Sequence, residues 1–180
     1  MWGDVNPSGK LPLTFPNKEN EVGFTQSQYP GLPASDPLDA NYTEKLEVGY
    51  RWYDAHGVTP AFPFGHGISY AVFQYAGLVV TGRTVSFTVA NVGFYDGAEV
   101  VQLYIAFPAA SGEPPQALKG FKKVMLTAGG AAAPVSFTLS DQDLSIWDAT
   151  AHAWAQQHGT FGVYVGSSSR DVRLKGTLTN

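Results

Sequence analysis

From residue 71 onward, apolar side chains recur at every second position in short runs, and that alternation limits the fold more than any other feature of the chain. Val85, Phe87 and Val89 alternate with Thr84, Ser86 and Thr88, and Val101, Leu103 and Ile105 alternate with Gln102 and Tyr104. Val135, Phe137 and Leu139 alternate with Ser136 and Thr138, and Phe161, Val163 and Val165 with Gly162 and Tyr164. A period of two sends one face of each strand into a core and the other outward. Turn chemistry separates the runs at Asn91 to Gly97, Ser111 to Pro115, Ala128-Gly129-Gly130, His158-Gly159 and Ser167 to Asp171. Strands are expected near 75–81, 83–92, 99–107, 118–127, 134–140, 151–156, 160–166 and 172–178. Short strands at this spacing predict an all-β, two-sheet sandwich over 71–180.

Composition bears on what such a sandwich is for. The 180 residues suffice for one domain plus an appendage, and 44% hydrophobic content supports a true core. Only 14% of residues are charged, well under the usual quarter, which suits a surface partly covered by a neighbour. A net charge of −4 without a basic cluster argues against nucleic acid as a partner. No apolar run approaches the ~20 residues of a membrane helix, so no membrane partner is expected. The first residues turn polar at once, unlike a signal peptide. Cysteine is absent, so disulfides play no part.

The region before the sandwich is irregular. Asn6-Pro7-Ser8-Gly9 is turn chemistry, and Leu11, Leu13 and Phe15 then alternate as a half-buried edge strand would. Residues 17–45 are polar, with Tyr29, Leu32, Leu38 and Tyr42 as spaced anchors, and read as a wrapping linker. Gly49 to Tyr70, GYRWYDAHGVTPAFPFGHGISY, gathers aromatic rings among prolines and glycines that disfavour a helix. Val48 to Tyr53 reads as a short strand and Phe62 to Tyr70 as a packed loop. The rings need a partner surface, which makes the stretch a docking seam, and Arg51 needs an acidic partner, with Asp54 the expected one and Glu47 or an acidic group of a neighbouring domain as alternatives. Arg51 is then either a clamp between domains or one half of that local pair.

Candidate chemistry is sparse. Acid–base hydrolysis by paired carboxylates needs two of them held about 5–9 Å apart, and Asp4, Glu47, Asp54, Asp96, Glu99, Asp141, Asp143 and Asp148 form no recognisable pair in sequence. His56, His66, His152 and His158 lack metal-ligand spacing, so neither a metal nor a cofactor is expected. His66, between glycines, is expected to hydrogen-bond neighbouring backbone and so fix its loop. Ser140 to Ser145 is expected to form a capped turn. Trp147 after it has two readings, a plug for one end of the sandwich or a sugar-stacking ring. Tyr95, Phe94, Tyr104 and Tyr164 are further candidates for sugar or polymer contact, against a plainer reading as core or docking residues.

The seam resembles a hallmark of glycoside hydrolase family 3, the β-glucosidase type, in which a GYR-aromatic-aromatic-D run and an FPFGHGLSY run join the catalytic body to a C-terminal fibronectin type III-like domain. Gly3 to Pro12 resembles the GDVNPSGKLP run that closes the family's second body domain. Leu118 to Val124, Asp143 to Asp148 and Val165 to Asp171 resemble motifs of the terminal domain. The resemblance implies a fibronectin type III-like (immunoglobulin-like) sandwich over 71–180. It implies that 1–70 is the trailing edge of an α/β domain with linker and docking loop, so that Met1 is not a natural beginning. The family's nucleophile aspartate and acid/base glutamate would lie upstream of Gly3, leaving this chain without catalytic residues. Its expected role is to brace or dock on the catalytic body through Arg51, Trp52, Tyr53, Asp54, Phe62, Phe64, His66 and Tyr70. The implied partner is that missing body, with self-association or a polysaccharide as further candidates. A carbohydrate- or polymer-binding module acting alone is the alternative. Proteins of this family are often secreted or periplasmic, and the chain itself carries no address. Residues 1–45, deprived of their sheet, are expected to be loosely held or used in a self-contact, while Tyr50 to Tyr70 packs on the sandwich.

Overall fold

The computed structural model describes residues 3–28 and 40–180. A six-residue helix, α1 (Tyr50–Ala55), precedes the strands β1 (Phe73–Thr81), β2 (Thr84–Asn91), β3 (Gly97–Ala106), β4 (Ala117–Leu126), β5 (Ala133–Thr138), β6 (Ser145–Asp148), β7 (Ala153–Gln156), β8 (Thr160–Gly166) and β9 (Val172–Thr179). Three strands pair in the order β1-β2-β5 and four in the order β4-β3-β8-β9, while β6 and β7 pair only with each other. Every pairing is antiparallel. The two larger sheets close on one core, in which Val85, Phe87, Val101, Leu103, Phe161 and Val163 are central. This is the expected β-sandwich.

Alternation holds where one face meets water. In β2, Val85, Phe87 and Val89 are buried while Thr84, Ser86 and Thr88 are partly exposed, and the Ser86 and Ser136 hydroxyls meet across β2 and β5 at 3.1 Å. Burying each Val or Phe side chain contributes about 1.5–3 kcal/mol. In β3 the alternation fails, because Val101 through Ile105 are all buried. Gln102 and Tyr104 point away from the core, yet α1 and the loop after it cover them. Tyr104 is therefore a buried ring, the plainer of its two readings from sequence, and not a sugar-contacting surface aromatic.

The expected strands appear within a few residues of their predicted places, with one addition. The predicted 151–156 strand is half of a hairpin whose other half, β6, follows the expected turn and carries no strand signal of its own. The turn itself forms: Ser140 donates through N and Oγ to Asp143 Oδ2 at 2.8 and 2.7 Å. Asp143 N donates back to Ser140 Oγ at 3.3 Å. Trp147 does not plug the sandwich. Leu144, fully buried in that turn, and Phe161, edge-on to Phe107 at 5.3 Å, fill that end instead, and Trp147 stands 52% exposed on β6.

Two departures concern the region before the sandwich. Val48 to Tyr53 is not a strand, since α1 begins at Tyr50. The helix survives its glycines because they lie outside it. Gly57, at φ 64°, ends it in the paired arrangement of Gly57 N to Asp54 O and Val58 N to Tyr53 O, 3.4 and 3.0 Å. Residues 6–17 are also held more firmly than expected. Phe15 and Phe62 exchange backbone hydrogen bonds of 2.9 and 3.4 Å, and Leu11 does the same with His66 and Gly65 at 2.8 Å each. The strand-like run that lacked a sheet thus pairs with the loop Phe62 to His66. Of the linker anchors, Tyr42 is exposed, and Tyr29, Leu32 and Leu38 lie outside the described residues.

Candidate docking face

The seam is built as a clasp on the outer face of the four-stranded sheet. Tyr50 stacks on Phe64 at 5.0 Å, meets Tyr104 edge-on at 5.9 Å, and accepts a 2.9 Å hydrogen bond from Leu118 N through its hydroxyl. Tyr104 in turn donates to Gln102 Oε1 at 2.5 Å, and Gln102 Nε2 donates to Ser167 O at 2.6 Å. Burial pushes the Tyr104 phenol well above its ordinary pKa, which keeps it a donor here. Gly65, at φ 80°, is where the loop comes closest: a Cβ there would lie 2.3 Å from Gln102 Oε1. Only glycine fits both that backbone angle and that gap.

The expected Arg51–Asp54 pair does not form. Asp54 faces the sandwich, where it lies 2.8 Å from Arg170 Nε and accepts from Gln116 Nε2 at 2.8 Å. Burial raises the Asp54 pKa, outweighing the lowering effect of Gln116 and Arg170. The Arg51 guanidinium lies 5.9 Å from the Tyr50 ring and has no ion pair among the described residues. The i, i+3 spacing on α1 would let Arg51 and Asp54 meet, but Asp54 is taken up by Arg170 and Gln116 of the sandwich instead. Trp52 stacks on His56 at 4.4 Å, and Tyr53 is buried, its hydroxyl donating to Glu21 at 2.8 Å. Burial and the Glu21 carboxylate push the Tyr53 pKa up to about 12. The His66 main chain donates to Pro63 O at 3.1 Å and accepts from Leu11 N at 2.8 Å, while its ring, expected to hydrogen-bond neighbouring backbone, leans on Phe62 at 5.3 Å.

A second set of contacts ties residues 6–10 to the sandwich, and sequence reasoning missed all of it. Asn6 donates to Asp96 O at 2.8 Å and accepts from Ser69 Oγ and Tyr70 N at 3.0 and 2.9 Å. Lys10 pairs with the buried Glu99 at 3.2 Å, and Tyr75 donates to the same carboxylate oxygen at 2.9 Å. Arg173, 5.9 Å from the Tyr75 ring, holds Asp171 at 2.5 and 2.7 Å. The only local signal was a lone glutamate, Glu99, at a position that alternation places inside.

The clasp leaves an apolar face open. Leu11, Phe15, Phe62 and Ile68 line a groove of about 560 Å³, with Phe62 50% and Ile68 70% exposed. Tyr70 and Tyr95 meet edge-on at 6.3 Å nearby, and Phe94 is 94% exposed at the tip of the β2–β3 turn. Tyr164 is half-buried, with Lys175 Nζ 5.9 Å from its ring. Of the candidate sugar-contacting residues, Tyr104 is excluded by burial, and Trp147 and Tyr95 are exposed but lie in different places.

Comparison with known proteins places this architecture. Residues 99–169 match the family model described as fibronectin type III-like domain. The chain is 39% identical over 203 aligned residues to a probable β-glucosidase D of Aspergillus niger, covering 99% of this chain and 26% of that protein. It superposes with a TM-score of 0.90 and 37% identity on DesR, a β-glucosidase from Streptomyces venezuelae, covering 99% of this chain and 23% of that one. On β-glucosidase 3B from Thermotoga neapolitana the TM-score is 0.86 at 39% identity, covering 98% and 25%. The chain spans about a quarter of the length of the curated relatives it matches. The chain thus carries a fibronectin type III-like domain and is similar to one region of β-glucosidases, among them a GH3 β-glucosidase of Bifidobacterium adolescentis, consistent with a C-terminal part of such an enzyme.

Proposed function

We propose that this chain is a non-catalytic module that docks on and braces the catalytic body of a β-glucosidase during carbohydrate breakdown. In this reading residues 1–70 are the trailing edge of the body's α/β domain with the linker and docking loop, and 71–180 the sandwich. The open groove of Leu11, Phe15, Phe62 and Ile68 carries it. Both of its edges are fixed by hydrogen bonds to the sandwich, yet its apolar side chains meet water, an arrangement that is unfavourable unless something covers it. The preceding three quarters of a β-glucosidase is the occupant that the partial coverage of the relatives favours. The carboxylates support the absence of catalysis, because they have structural employment: Asp54 with Arg170, Glu99 with Lys10, Asp171 with Arg173, and Asp148 capping its turn.

The test is a chimera in which this chain replaces the matching quarter of β-glucosidase 3B. The chimera is expected to hydrolyse an aryl-β-glucoside, and the isolated chain is not. Ile68→Ser, on a side chain exposed in the isolated chain, should change that chain's stability within ±0.5 kcal/mol and lower the chimera's melting temperature clearly. Equal effects in both would overturn the docking reading.

A further inference from the structure

The hairpin of β6 and β7 carries a feature that docking does not use. Trp147 and Trp154 sit directly opposite each other across the two strands, rings 5.6 Å apart and edge-to-face at 75°. Each is 52% exposed, and neither packs against the sandwich core. The hairpin is held in shape independently of them. Asp148 Oδ1 accepts from Thr150 N and Ala151 N at 2.8 and 3.0 Å, and the stem is tied by Gln157 N to Leu144 O at 2.9 Å and Asn180 Nδ2 to Gln157 O at 2.9 Å. Alternation puts Gln156, the cross-strand neighbour of Ser145, on the same strand face as Trp154, exposed and with its carboxamide unbonded among the described residues.

The hairpin also lies at the far end of the sandwich from the groove. β3 starts at Gly97, beside the Asp96 that Asn6 clamps, and ends at Ala106. The hairpin stem meets the other end, where Asn180 bonds Arg83 in the β1–β2 turn. A body covering Leu11, Phe62 and Ile68 leaves the two indoles open.

We propose that Trp147, Trp154 and Gln156 form a binding platform for β-linked glucose oligosaccharides. A β-glucopyranose ring carries its hydroxyls equatorially. Its faces are then C–H surfaces that stack on indole, while its rim offers donors and acceptors to a free carboxamide. Two indoles at right angles offer one stacking face and one flanking edge, suited to a sugar and its neighbour rather than to an extended flat polymer. The choice of glucose rests on the β-glucosidase reading above, whereas the platform itself does not.

The test is titration of the 180-residue chain with cellohexaose and with laminarihexaose, followed by NMR of the indole N–H resonances. Trp147 and Trp154 indoles are expected to shift and saturate with at least one of the two sugars, while the Trp52 indole does not. Trp147→Thr/Trp154→Thr, which puts strand-favouring β-branched residues at the cross-strand pair, should weaken binding at least tenfold with the sandwich amides unchanged. Gln156→Ala should weaken it severalfold. Three results would each overturn the proposal: still indoles up to about 10 mM of both sugars, binding that survives the double substitution, or binding of a lignin-type phenolic polymer without either sugar. None of them touches the docking reading, whose test uses the groove.

Discussion

Asp54→Ala removes the residue that fastens α1 to the sandwich, and the structure sets the size of the loss. The carboxylate holds Arg170 Nε and Gln116 Nε2, each at 2.8 Å. Hydrogen bonds to a charged group contribute about 1.5–3 kcal/mol each. Three features reduce the sum. Gln116 keeps its 2.9 Å bond to Ser169 O, and Arg170 keeps one of 2.8 Å to Val58 O and is one-third exposed, so water replaces part of what it loses. The buried carboxylate also carries a desolvation cost, visible in its raised pKa, which the substitution relieves. A net loss of about 2 kcal/mol follows, or about 30-fold in the equilibrium for undocking. Hydrogen exchange reads this directly: amides of 50–66 should exchange about 30-fold faster, while β2 and β3 change little. Arg170→Ala should act on the same segment, and the double variant should fall short of the sum, because the two side chains share one interaction. Unchanged exchange over 50–66 in Asp54→Ala would refute the clasp as described.

Other consequences follow from individual residues. Gly65→Ala should cost about 1–3 kcal/mol, measured by urea unfolding, because Gln102 must move and the backbone angle is strained. Phe161→Ala should cost about 3–5 kcal/mol, whereas Trp147→Ala, outside the core, should cost about 1 kcal/mol or less. Stability against pH should show two carboxylates of opposite sign. The Arg173 hydrogen bond holds the Asp171 pKa below the ordinary range, so its contribution is present above that range and lost as pH falls through the lowered value. Burial raises the Asp54 pKa, so its contribution is present below the ordinary range and lost as pH rises through the raised value. Asp171→Asn should therefore blunt the acid loss and Asp54→Asn the loss on the other side, both read as urea midpoints across ~pH 3–7.

The sandwich was legible because β2, β5 and β8 each meet solvent on one face, so their alternation survives in the sequence. β3 was legible as a strand, but its second face was not, since Gln102 and Tyr104 are covered by residues some fifty positions away in the chain. The helix α1 was masked by a composition argument. Gly57 breaks a helix inside it but ends one after it, and Ala55-His56-Gly57 carried that terminal signal. The hairpin strand β6 is four residues long, too short for a period to show. The aromatic density marked Gly49 to Tyr70 as a stretch that needs a packing surface, but the partners of its residues were not legible. Asp54 chose Arg170, and Lys10 chose Glu99, through contacts that only the folded chain brings together.

The central claim is that the groove of Leu11, Phe15, Phe62 and Ile68 is covered in the whole enzyme. Hydrogen exchange at residues 62–68 in the isolated chain and in the chimera with the β-glucosidase 3B body tests it most directly. Docking predicts that these amides slow markedly in the chimera, together with those of 11–15, while the hairpin of β6 and β7 exchanges alike in both. Equal exchange at 62–68 in the two proteins, in an active and folded chimera, would contradict it.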